Sequence, residues 1–203
     1  MRTAALKSFV FIFFFGLLTS CSNDDATERF PLEQPSNIDA EDYDVYSVII
    51  KSYNFSTIII KQKAVFGMSF MMSSNNFIDE LSAGNPGFEP QMVTTLFYNN
   101  QIPLFFDNSF DVSPTNVELI SESELNYIFD GDSNNDWIQF YNTHPNTNGF
   151  NMFSAVAYNA DKTKALVETG YVCGPLCGLG TLIYLEKVNG LWVIKKTVET
   201  WIS

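Results

Sequence analysis

Asn189-Gly190 stands between two apolar runs, Tyr184-Leu185 before it and Leu191-Trp192-Val193-Ile194 after it. Both residues tolerate the positive φ of a tight type I′ turn, so the dipeptide is the strongest hairpin signal in the chain. It makes the two flanking runs antiparallel neighbours. Four β-like runs fill this last third, at 152–158, 164–172, 181–188 and 191–201, and Asn159-Ala160-Asp161-Lys162 marks another reversal. Helical periodicity comes earlier. Tyr46, Ile49, Ile50 and Tyr53 recur at i, i+3, i+4 and i+7 within 39–53, behind a cluster of acids that suits a helix start. Met92, Val93, Leu96 and Phe97 mark a second helix over 89–100, and 122–129 and 134–143 read as two short ones. Thr57-Ile58-Ile59-Ile60 reads as a buried strand, and 116–121 as another. The expected fold is a single α+β domain, with N-terminal helices packed on a C-terminal four-stranded antiparallel meander sheet.

The amino terminus sets the expected address. Arg2 and Lys7 precede ten residues, Phe9–Leu18, that are apolar apart from Gly16, and Leu18-Thr19-Ser20-Cys21 follows. Spanning a bilayer takes about 20 apolar residues, so this stretch is too short. The order of basic, apolar and small residues is that of a secretory signal peptide. It resembles the lipobox of bacterial lipoproteins, in which the Cys thiol takes a diacylglycerol and becomes the first mature residue. The resemblance implies a lipid anchor (palmitate among its acyl chains) on Cys21, and two or more chains hold a protein stably. No Asp directly follows Cys21, which in such proteins favours the outer membrane, and Asp24-Asp25 and Glu28 resemble tags that send some to the cell surface. The expected divisions are a leader over 1–20, a lipidated Cys with an acidic flexible linker over 21–38, and a globular body over 39–203.

The formal net charge is −12, and loss of Arg2 and Lys7 with the leader brings it to −14. With no basic stripe, the chain is a poor partner for nucleic acid. The 19 Phe and 9 Tyr residues argue for a packed core rather than disorder.

From Trp137 onward the chain carries Trp137-Ile138-Gln139-Phe140-Tyr141, Cys173-Gly174-Pro175-Leu176-Cys177-Gly178, Tyr184-Leu185-Glu186-Lys187, Asn189-Gly190-Leu191-Trp192 and a final Trp201-Ile202-Ser203. This set resembles a group of poorly characterised bacterial extracytoplasmic proteins that end in such a Cys-Gly-x-x-Cys-Gly hairpin and a Trp-Ile-Ser close. The resemblance implies no catalytic role for any residue.

Cys173 and Cys177 are the even pair left once Cys21 is lipidated, and an extracytoplasmic address permits a disulfide. A redox site is the sharper reading, but the spacing differs from that of the thioredoxin motif and no helix follows. Zinc would need further ligands nearby. Asp130, Asp132, Asn134 and Asp136 alternate like the start of a calcium loop, although Asn135 and Tyr141 replace the glycine and glutamate of the EF-hand pattern. The bland reading is a polar loop capping the next helix. Met68, Met71 and Met72 suit core filling better than copper ligation. His144, the only histidine, sits where a cation would complement a helix end. Glu168 interrupts an apolar strand and is either a buried acid or a residue on an open sheet face. These features point to a membrane-anchored, non-catalytic binding or envelope-structural module, with an envelope protein or glycan as partner. The competing function is an extracytoplasmic hydrolase using paired carboxylates.

Overall fold

A computed structural model describes residues 29–65, 67, 74–131 and 133–203. Helix α1 (Ala40–Ser52) starts after Asp39, carries Glu41 and Asp42 in its first turn and Lys51 in its last, and buries Tyr43, Tyr46, Ile49 and Ile50. Strand β1 (Thr57–Lys61) follows, with its three isoleucines buried on both faces, as a central strand requires. Helices α2 (Ser74–Ser82) and α3 (Gln91–Asn99) come next, then strand β2 (Asn116–Ile120), helices α4 (Glu122–Ile128) and α5 (Ser133–Thr143), and strands β3 (Phe150–Phe153), β4 (Ala157–Tyr158), β5 (Lys164–Gly174), β6 (Cys177–Val188) and β7 (Leu191–Ile202).

The sheet runs β2-β1-β3-β5-β6-β7, with β4 also beside β5. Strand β1 pairs in parallel with β2 on one side and β3 on the other, and every other pairing is antiparallel. Strands β3 and β4 act as one interrupted strand along β5. In the break, Ser154 N–H donates to the Glu168 carbonyl and Ser154 Oγ accepts the Glu168 N–H, each at 2.9 Å.

The expected four-stranded antiparallel meander is therefore wrong in extent and in direction. The β5-β6-β7 meander exists, turned by Asn189 and Gly190 at φ 53° and 83°. It supplies three strands of a seven-stranded mixed sheet, in which the isoleucine strand pairs in parallel with β3 and with 116–120. Parallel neighbours need a crossover of a dozen or more residues. Helices α2 and α3 provide it between β1 and β2.

Helices cover both faces of the sheet. On one face α1 packs Tyr46, Ile49 and Ile50 against Ile58, Ile60, Phe153, Val167, Ile183 and Leu185. On the other, Leu81 of α2 and Met92 and Leu96 of α3 meet Leu166, Leu182, Tyr184 and Val198. Leu125 and Ile128 of α4 and Trp137 and Phe140 of α5 close that same face over Ile59 and Ile120.

The segment before α1 lies against the body. The Arg29 guanidinium sits 4.2 Å from the centre of the Tyr127 ring, and Phe30 packs on the same ring at 5.0 Å. Glu33 N–H donates to Gln62 Oε1 at 2.8 Å, and Gln62 Nε2 donates back to the Glu33 carbonyl at 2.7 Å.

Candidate functional site

The register of β1 and β2 places Val117 and Leu119 on the α1 side of the sheet, and Glu118 and Ile120 on the side of α4 and α5. Val117, Glu118 and Leu119 all line one cavity of about 580 Å³. A cavity that draws on both faces of a strand must lie along its edge. Phe30, Pro31 and Leu32 form the facing wall, and Asn108, Glu124 and His144 complete the lining. The volume falls in the range of small-ligand sites, and the walls are mostly apolar. Its formally charged residues are Glu118 and Glu124, with no lysine or arginine.

Local structure explains the polar floor. Ser121 caps α4 by accepting the Glu124 N–H at 3.0 Å. In a capping box the glutamate would reach back to the cap residue. Here the Glu124 carboxylate turns toward His144, which follows the end of α5 and donates its backbone N–H to the Phe140 carbonyl at 2.8 Å. Glu124 Oε1 stands 3.2 Å from His144 Nε2, and both side chains are nearly buried. His144 Nε2 makes no hydrogen bond among the described residues, so the two groups meet by proximity alone.

A second buried acid lies further along the same face. Glu168 sits in β5 between Leu166 and Gly170 and is 3% exposed. Its Oε2 accepts the Gly67 N–H at 2.7 Å, while Oε1 has no hydrogen-bond partner among the described residues. Burial pushes its pKa up to about 7, with the Gly67 N–H pulling the other way. The space beside it, about 30 Å³ between Val65, Met152 and Trp201, is the size of one water. Among the described residues no second carboxylate acts on it. The Trp201 indole lies over Gly170, Gly178 and Gly180, and a side chain at Gly180 would occupy the space of the ring.

The other sequence candidates are scattered. Cys173 and Cys177 form a disulfide across the end of the β5–β6 hairpin, with Cα atoms 5.1 Å apart. Tyr141 of α5 donates to the Cys173 carbonyl at 2.9 Å, and Leu176 at the tip is 89% exposed. So small a ring stabilises by about 2 kcal/mol through the unfolded chain. Replacing both cysteines with serine should lower the melting temperature by roughly 4–8 °C. An unchanged melting curve under non-reducing conditions would mean that the thiols are not joined.

Asp130 precedes α5, and Asp136 is buried in its first turn, where a carboxylate suits the helix dipole. Because α5 begins at Ser133, the alternating acids run into a helix instead of continuing as a loop. Asp132, the Asn134 side chain, Met68, Met71, Met72 and Cys21 lie outside the described residues. Among the described residues no cluster of three metal-ligating side chains occurs, and no helix is long and apolar enough to cross a membrane.

No protein-family model, curated protein or solved structure matches the chain. The groove was not anticipated from sequence. The Ser121–Glu124 capping pattern and the apolar Phe30-Pro31-Leu32 within a polar stretch were its only traces.

Proposed function

We propose that this protein is a bacterial lipoprotein, held at the outer membrane or cell surface through Cys21, whose body binds an envelope protein or glycan without transforming it. The observation that carries the binding reading is the groove beside β2. A featureless surface would have suited a purely structural role, whereas a concavity of this size with few polar groups suits recognition. The hydrolase alternative calls for two carboxylates flanking one bond, about 5–10 Å apart. Among the described residues Glu168 has no acidic partner, and Glu124 is turned onto His144.

The anchor is tested by growing cells on an alkyne-bearing fatty acid. The expected result is label on the wild-type chain in the membrane fraction, and neither label nor sedimentation for Cys21→Ser. Absence of label from the wild type would end the lipoprotein reading. The binding reading is tested by incubating the protein with envelope glycans and peptides of known mass. Retention at unchanged mass supports binding, and shortened products would establish the hydrolase instead.

A further inference from the structure

We propose that the edge of β2, unpaired among the described residues, receives an extended peptide carrying a basic side chain, which adds to the sheet as a further strand. This deepens the binding reading above and names its partner class, and it is independent of acylation at Cys21.

The backbone supplies the first argument. Asn116 N–H donates to the Ser56 carbonyl, and the Ile120 carbonyl accepts from Gln62 N–H, each at 2.9 Å. These residues turn their ladder groups toward β1. Alternation along a parallel pair then turns the N–H and C=O of Val117 and Leu119 the other way, into the groove. Such a row of groups is a template for strand addition.

The second argument is the contrast between the two ends of the sheet. The edge at β7 is blunted, with Lys195 and Lys196 in its middle and two breaks of register against β6. Lysines and bulges are the usual means of stopping edge pairing. The edge at β2 has neither, and its five residues pair with β1 without a break in register. The facing wall does not compete for it as a full strand, because Pro31 has no N–H to give.

Charge supplies the third argument. Glu118 is exposed on the edge strand, with no lysine or arginine in the lining to offset it, while Glu124 in the floor already faces His144. The whole chain carries −12. A cationic side chain beside Glu118 is therefore favoured over an anionic one. Val117, Leu119, Phe30 and Leu32 provide apolar contacts for the alternate residues.

The test uses the full chain, isotope-labelled in detergent micelles, titrated with the capped pentapeptide Val-Lys-Val-Lys-Val. The expected result is saturable shifts of the Val117 and Leu119 amide resonances and slower hydrogen exchange at both. Alternate N-methylation of the peptide, which keeps side chains but removes backbone donors, should weaken binding at least tenfold. The Val-Glu-Val-Glu-Val peptide should also bind at least tenfold more weakly, and Glu118→Lys, an exposed change, should reverse that preference. Equal binding of the N-methylated peptide would overturn strand addition and leave the groove as a small-ligand site. Equal binding of the two charged peptides, or no shift at Val117 and Leu119 up to millimolar peptide, would overturn the proposal as stated.

Discussion

Gly149→Ala should destabilise the fold by about 4 kcal/mol and lower the melting temperature by roughly 8–16 °C. Gly149 precedes β3 and has φ of 114°, a region that side chains rarely enter. A Cβ there would come within 2.9 Å of Cys173 Cα and nearer still to the Val172 carbonyl. Both obstacles are backbone of β5, where Val172 pairs with Phe150, so neither can turn aside. Strain and crowding add at this position. At Gly190 only the first applies: φ is 83°, but nothing lies within 4 Å of an added Cβ. Gly190→Ala should therefore cost only about 1 kcal/mol. Thermal or denaturant melts of the two variants separate the terms. If both fell by the same small amount, β3 would not approach β5 as closely as described.

The β6–β7 hairpin was legible in the sequence. Asn189-Gly190 specifies its own hairpin because the turn and both strands lie within a few residues of each other. Helix α1 was legible for a similar reason, since the spacing of Tyr46, Ile49 and Ile50 is a local property. The run Ile58–Ile60 was legible as a buried strand, but its neighbours are Val117–Leu119 and Phe150–Asn151, far along the chain. Nothing in a hydrophobic pattern names a distant partner, so the strand was identified and its place in the sheet was not. Glu168 was ambiguous because the alternation rule presumes one open face. Both faces of β5 are covered here, on the Glu168 side by Gly67, Met152 and Trp201, so neither side leaves it open. The groove draws on 30–32, 108, 117–119, 124 and 144, segments that only the crossover topology brings together.

Enclosure by Gly67, Met152 and Trp201 makes Glu168 a pH-sensitive position. Its carboxyl has an ordinary pKa of 4.5 and one near 7 when folded. Burial disfavours the charged form, so the native state holds its proton more tightly than the unfolded chain. The contribution to stability is complete below about pH 4.5 and is lost as pH rises through 7. A shift of this size corresponds to a loss on the order of 3 kcal/mol. Glu168→Gln cannot ionise. Its amide can still accept the Gly67 N–H, and whatever its unpaired NH₂ costs does not vary with pH. The wild type should therefore lose stability relative to the variant between pH 4.5 and 8, and their melting temperatures should move by roughly 6–12 °C with respect to each other. Melts of both proteins across that range, at one ionic strength, give the comparison directly. Parallel curves would show that Glu168 ionises as a solvated acid does, which its enclosure under Trp201 and against Gly67 does not allow. Converging or crossing curves would place a neutral carboxyl group in the sheet at pH values well above the ordinary range, with one oxygen held by Gly67 and the other turned toward a space the size of one water.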